Sequence, residues 1–102
     1  MDINKLMKQA QQMQAGMAKA QEELADKTVE ASVGGGKVTV VATGSGDVQS
    51  IKIDASVIDP EDAEFLEELV LKGVQEAIAK GKEMAAGEMG KLTGGMDIPG
   101  LT

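Results

Sequence analysis

The sequence predicts an α+β fold in which two long helices flank a three-stranded antiparallel sheet, in the order α-β-β-β-α. Three observations lead to this prediction. Apolar residues recur every three or four positions over residues 3–24 and again over residues 66–92, as on one face of a helix. Between them lie three short runs rich in Val, Ile and Thr, separated by glycine-rich turns. The length of 102 residues suits one domain.

The first helix can begin at a cap formed by Asp2 and is expected to run to about Lys27. Its apolar positions alternate three and four residues apart, which is the repeat of a coiled-coil seam. They are Ile3, Leu6, Ala10, Met13, Met17, Ala20 and Leu24. Gly16 interrupts this helix with a residue that costs about 1 kcal/mol relative to alanine. The helix therefore needs a neighbour on which to pack.

The three strands are expected at residues 28–33, 37–43 and 48–54, where β-branched residues alternate with polar ones. The connections, residues 34–36 and 44–47, contain the glycines that tight hairpin turns require. Connections this short join neighbouring antiparallel strands, so the sheet is predicted to be a meander.

The run Asp59-Pro60-Glu61-Asp62 predicts the start of the second helix. It supplies a capping residue, a proline for the first turn, and acids whose negative charge is favourable at the positive end of the helix dipole. Its small residues Gly73, Ala77 and Gly81 are four apart, and we expect Met13 and Met17 of the first helix to pack against them. The run Thr93-Gly94-Gly95 is expected to end it. The predicted domain spans residues 1–95, and residues 96–102 are predicted to be a flexible C-terminal tail.

Each predicted helix is joined to the sheet at one end only, the first by its C-terminal end and the second by its N-terminal end. Their free ends therefore lie together, and the two helices can pack antiparallel as a protruding arm. Phe65 is the single aromatic residue, so the core must consist of aliphatic side chains and is expected to be small. Apolar stripes would stay exposed in one chain, so we expect a dimer.

The net charge of −7 is unevenly distributed along the chain. Residues 21–71 hold three lysines against twelve acids, whereas residues 1–20 hold three lysines against one acid and residues 72–92 hold four against three. Salt screens exposed charges beyond about 8–10 Å, so the local balance matters more than the total. The arm is predicted to be weakly basic and the sheet end acidic.

Several lysines of the arm could bind phosphate. Along their predicted helices, Lys5, Lys8 and Lys82 have no acid three or four positions away, since Asp2 is the cap before the first helix. Lys5, Lys8, Gln12 and Lys19 share the helix face opposite the seam. Ammonium and amide groups together bind phosphate oxygens. Without arginine, Trp or Tyr, guanine readout and base stacking are disfavoured, so a bound nucleic acid would be a duplex contacted through its backbone.

Other lysines have an acid within helical reach, which is typical of a solvated helix surface. The predicted pairs are Glu68 with Lys72, Glu76 with Lys80, Glu88 with Lys91, and Glu22 and Glu23 with Lys19.

Enzymatic chemistry is disfavoured by what the sequence lacks. It contains no His and no Cys, so transition-metal and thiolate sites are not expected, and neither is a cofactor or a small-molecule substrate. A phosphate-binding loop at Gly36-Lys37 would need a glycine where Ala31 stands and Ser or Thr where Val38 stands. Neither a secretory signal nor an apolar run of roughly 20 residues is present, so we expect a cytoplasmic protein without membrane contact.

The run LMKQAQQMQ, residues 6–14, resembles the opening of the YbaB/EbfC family of small bacterial nucleoid-associated proteins. Similarity continues through GKVTV at 36–40, IKID at 51–54, EELV at 67–70 and GMDIPG at 95–100. The resemblance implies a homodimer joined through its sheets, with helical arms projecting like tweezers. It further implies binding to double-stranded DNA in the nucleoid, without a cofactor, to organise DNA or modulate transcription. Carried over by position, the implied DNA contacts are Lys5, Lys8, Gln12, Lys19, Lys80, Lys82 and Lys91.

One alternative stays open at the level of sequence. An acidic dimer with a Met-rich cleft could clasp a helix of a partner protein without binding DNA.

Overall fold

The computed structural model describes residues 2–94 and confirms the predicted α-β-β-β-α order. Its elements are helix α1 (Ile3–Asp26), strands β1 (Thr28–Val33), β2 (Val38–Thr43) and β3 (Val48–Ile53), and helix α2 (Ala63–Gly94), with short 3-10 turns at Ala55–Val57 and Pro60–Asp62. The predicted cap at Gly95 and the predicted tail, residues 96–102, lie outside the described residues.

Helix α1 begins where the sequence predicts. The Asp2 carboxylate accepts a hydrogen bond of 3.1 Å from the Asn4 backbone N–H, which satisfies one donor left free at the first turn. At the other end the Lys27 backbone N–H donates to the Glu23 carbonyl at 3.0 Å before the chain turns extended into β1.

The sheet is antiparallel in the order β1-β2-β3, so β2 is central and β1 and β3 are edges. Ala31 pairs with Val40, and Val40 pairs with Ile51, which places these three side chains on one face. A bulge interrupts β3, because Val41 pairs with Ser50 but Ala42 pairs with Val48. The expected strand bounds are each correct to within one residue.

The start of the second helix differs from the prediction. Pro60–Asp62 forms a separate 3-10 turn, closed by a 2.9 Å hydrogen bond from the Asp62 N–H to the Asp59 carbonyl. The Asp59 carboxylate caps this turn by accepting from the Glu61 N–H at 3.0 Å. The cap, the proline and the acids therefore have their predicted roles, but in the 3-10 turn that precedes the helix. The α-helix itself begins at Ala63.

Helix α2 lies across the sheet from its first turns to about Gly81. The buried core consists of Ala31, Val33, Val38, Val40 and Ala42 of the sheet and Ala77 of the helix. A Cβ atom at Gly73 would be 3.0 Å from Val40 Cγ2, and one at Gly81 would be 2.5 Å from the Thr43 carbonyl oxygen. Glycine is what allows this close approach of helix to strand.

The predicted contact between Met13 and Met17 and the small residues of α2 is therefore wrong. Strand β2 already occupies the space over Gly73, Ala77 and Gly81. Helix α1 packs instead on the second half of α2, where a Cβ atom at Gly16 would be 3.3 Å from Leu92 Cδ2. Met17 keeps 43% of its surface exposed.

The two helices form the predicted antiparallel arm. Gly16 faces Leu92, while Leu24 lines a crevice with Ala85 and Met89. Later residues of α2 therefore lie beside earlier residues of α1, as in an antiparallel pair. The Gly44 N–H fixes the root of α1 by donating to the Leu24 carbonyl at 2.9 Å. The radius of gyration is 19.7 Å, against about 13 Å for a compact chain of this length. The arm makes the molecule elongated.

Candidate nucleic-acid interface

The tip of α1 projects beyond α2. Leu92 lies against Gly16 and α2 is described to Gly94, so within residues 2–94 no helix lies beside the first ten or so residues of α1. All described residues up to position 12 are exposed. Lys5, Lys8 and Gln12 lie in this stretch, and none makes an ion pair or a side-chain hydrogen bond within residues 2–94. No acid occurs in α1 before Glu22.

Lys19 and Lys91 lie further down the arm, on one groove of about 460 Å³ that Glu23 and Glu88 also line. Lys91 Nζ is 3.9 Å from Glu88 Oε1, which confirms the predicted pair. Lys19 makes no ion pair within the described residues, so its predicted pairing with Glu22 and Glu23 is wrong. This groove has mixed charge, in contrast to the tip.

Glu88 also binds a lysine that sequence reasoning missed. Lys27 Nζ donates to Glu88 Oε1 at 3.1 Å and connects the root of α1 to α2. This hydrogen bond and the charge of Lys27, together with the charge of Lys91, hold the pKa of Glu88 below its ordinary value. The partners are 61 residues apart in the chain, so no local pattern could reveal them.

Lys80 and Lys82 lie level with the sheet, because they flank Gly81, which packs on Thr43. Lys80 Nζ donates to the Glu30 carbonyl at 3.0 Å rather than to Glu76. Strand β1 is an edge of the described sheet, so its outer backbone groups have no strand neighbour within residues 2–94, and the lysine satisfies one of them.

The predicted pairs of Glu76 with Lys80 and Glu68 with Lys72 are wrong, since neither reaches 4.0 Å. Lys82 is exposed and unpaired within residues 2–94, as its sequence neighbourhood predicts.

The acidic end of the molecule is far from the tip. Six acids and no lysine occupy the chain from residue 59 to residue 68: Asp59, Glu61, Asp62, Glu64, Glu67 and Glu68. Along α2, Glu64 and Leu92 are separated by about 42 Å at 1.5 Å per residue. This distance is several times the screening length, so the carboxylates do not cancel the charge of the tip.

A second exposed surface is apolar and lies over β3. Ile51 and Ile53 pair with buried residues of β2, and thus point to the face that α2 covers, yet they remain 42% and 38% exposed. Helix α2 lies over β1 and β2, as the bond from Lys80 to β1 indicates. On its other side it carries an apolar groove of about 470 Å³ lined by Leu66, Glu67, Val70, Leu71 and Val74.

Within residues 2–94, no helix is both long enough and apolar enough to span a membrane. Within the same residues, no cluster of three or more His, Cys, Asp or Glu side chains is suited to holding a metal ion.

The fold and the site define a small α+β protein with a locally basic helical arm projecting from an acidic sheet end. A sequence profile described as the YbaB/EbfC DNA-binding family matches residues 1–96. The chain belongs to this family, which confirms the resemblance found in its motifs.

Relatives of similar length support the same assignment. A nucleoid-associated protein of Akkermansia muciniphila is 59% identical over 99 residues, which cover 97% of this chain and 95% of that protein. A nucleoid-associated protein of Acetivibrio thermocellus is 55% identical over 101 residues, covering 98% and 89%. The crystal structure of an uncharacterized protein from Helicobacter pylori shares the fold, with a TM-score of 0.69 at 24% identity over 94% of this chain and 97% of that one.

Proposed function

We propose that this protein is a non-catalytic, nucleoid-associated homodimer that binds double-stranded DNA through the duplex backbone, and so organises DNA or modulates transcription. The observation that carries the proposal is the tip of α1, where Lys5 and Lys8 are exposed, unpaired within the described residues and remote from the acidic end. Membership of a DNA-binding family and the nucleoid-associated relatives support the choice of ligand and the location.

The candidate contacts differ in how free their charges are. Lys5, Lys8 and Gln12 form the primary set, because they share one face of an unshielded helix end. Lys19 and Lys82 are unpaired within residues 2–94 and can add contacts along the arm. Lys91 and Lys80 are already engaged by Glu88 and by the Glu30 carbonyl, so we assign them smaller parts. Lysine binds phosphate as a point charge, which gives weak sequence preference.

We place the dimer interface at β3 and the adjoining groove of α2. Ile51 and Ile53 are exposed on the core face of the sheet, and Val70 and Val74 line the exposed apolar groove of α2. An uncovered apolar face beside an unpaired strand edge suits a second copy related by two-fold symmetry. The lysine-bearing tips lie at the other end of the molecule and stay free to bind DNA.

The oligomeric state tests this interface directly. Sedimentation equilibrium should give twice the chain mass of 10.6 kDa, and Ile51→Glu should shift the mass towards that of one chain because it places an unpaired charge in the contact. Lys52→Glu adds a carboxylate at the next residue of β3, whose side chain lies on the opposite face of the sheet, and serves as the control. Monomeric wild type would refute the dimer.

DNA binding is tested by a salt titration on two unrelated duplexes of equal length. Backbone-directed binding predicts closely similar affinities for both, and a logarithmic salt dependence with a slope of about −0.9 per phosphate contacted. A large preference for one duplex would contradict backbone-directed binding. Absence of binding to either duplex, at low salt, would overturn the proposed function.

A further inference from the structure

The tip of α1 carries an exposed apolar strip that the proposed DNA contacts do not use. We define the tip strip as Ile3, Leu6, Met7 and Ala10. The first three are 69%, 48% and 58% exposed. At 100° per residue the strip lies well away from the face of Lys5 and Lys8. Four clustered apolar residues on an exposed helix end are stabilised when another segment covers them, because this removes apolar surface from water.

The described end of α2 stops just short of this strip. Leu92 contacts Gly16, and α2 runs towards the tip of α1, so Gly94, the last described residue, lies near the level of Met13. From Met13 to Ile3 the axial distance is about 15 Å at 1.5 Å per residue. Residues 95–102 number eight, and eight residues can span up to roughly 26 Å. The segment therefore reaches the whole tip strip from its point of attachment.

The composition of this segment complements the tip. Met96, Ile98, Pro99 and Leu101 are apolar, Asp97 is the one charged side chain, and no lysine is present. The tip carries positive charge, so the segment meets attraction there. A second copy of the tip would instead add its own two lysines to an end that is already positively charged, and like charges repel.

We propose that residues 95–102 of the same chain bind the tip strip and cover it. Because the segment is tethered at Gly94, its effective concentration at the strip is high without any intermolecular contact. The lysine face remains open, so the covered tip can still contact DNA. This inference concerns the isolated protein and does not depend on the proposed function.

The absence of cysteine makes a disulfide test possible without other changes. Leu6→Cys combined with Ile98→Cys places one thiol in the strip and one in the segment. A disulfide needs Cα atoms within about 4.4–6.8 Å, which binding to the strip permits. Lys8→Cys combined with Ile98→Cys is the matched control, with nearly the same tether but the opposite helix face. Under mild oxidation we expect roughly tenfold faster disulfide formation in the first variant.

The form of the product decides between occupants. An intramolecular disulfide, formed at a rate independent of protein concentration, supports the proposal. A covalent dimer whose rate rises with concentration would show that a second copy covers the strip and would overturn it. Equal rates in the two variants would also overturn it, because the segment would then have no preferred face. Circular dichroism of both reduced variants checks that each is folded.

Discussion

Helix α2 is one continuous helix with two different surroundings, and the comparison of its two parts explains how the molecule divides its tasks. In the part that covers the sheet, Gly73 and Gly81 lie against β2, where an added Cβ would meet Val40 or the Thr43 carbonyl. In the arm part, an added Cβ at Gly87 meets no atom of the described residues within 4 Å. The part on the sheet is therefore constrained by packing, whereas the arm part is shallowly packed and its surface can carry charge.

The largest effect is expected where the arm joins the sheet. Leu24 is 4% exposed and packs on Gly44, whose N–H holds the end of α1. Leu24→Ala should lower the free energy of unfolding by about 2–4 kcal/mol, because it leaves a cavity at this junction. Urea denaturation measures the loss.

Met17→Ala is the matched control on the exposed side of the same helix. Met17 is 43% exposed, so the change should cost less than about 1 kcal/mol. Equal losses in the two variants would mean that α1 is not anchored at Leu24.

The next effect compares two glycines of α2. Gly81→Ala should lower the free energy of unfolding by about 1–3 kcal/mol, since the new methyl would be 2.5 Å from a backbone oxygen that cannot move alone. Thermal and urea unfolding both report it. An unchanged stability would show that the helix stands further from the sheet than described.

Gly87→Ala should have the opposite sign. Its Cβ enters open space and alanine favours the helix, so the free energy of unfolding should rise by about 0.5–1 kcal/mol. The same urea titration measures it. A loss of stability would indicate that this side of the arm is covered, for example by a second copy.

The smallest effect is a pH dependence at the root of the arm. The pKa of Glu88 is lowered by Lys27, so the pair stabilises the folded state above the ordinary glutamate pKa, and this contribution is lost as pH falls through the lowered value. The melting temperature of wild type should exceed that of Glu88→Gln slightly at pH 7, and the difference should vanish well below pH of about 4.3. A difference that persists at pH 2 would contradict the pairing.

Local signals predicted much of the fold from the sequence. Asp2 before an apolar repeat predicted the start of α1, and the glycines after Val33 and Thr43 predicted the two hairpin turns. These features depend on residues close in the chain. The free tip lysines and the first motif of the family resemblance likewise lie in one short run, residues 5–14.

Contacts between distant residues could not be predicted in the same way. The spacing of Gly73, Ala77 and Gly81 indicated a close backbone neighbour but not whether it was a helix or a strand. The bond from Lys80 to Glu30 depends on β1 being an edge strand, which no helix pattern reveals. The same holds for Lys27 and Glu88, which meet only after the arm has folded.

The central claim is that the arm tip, rather than the sheet end, carries the DNA contacts. The most direct test is the salt dependence of duplex affinity for Lys5→Gln/Lys8→Gln and for Lys37→Gln/Lys72→Gln, which remove the same charge from the two ends. We predict that the tip variant loses about 0.9 in slope for each phosphate contact removed, whereas the sheet-end variant keeps the wild-type slope. An unchanged slope in the tip variant, with a reduced slope in the sheet-end variant, would contradict the account.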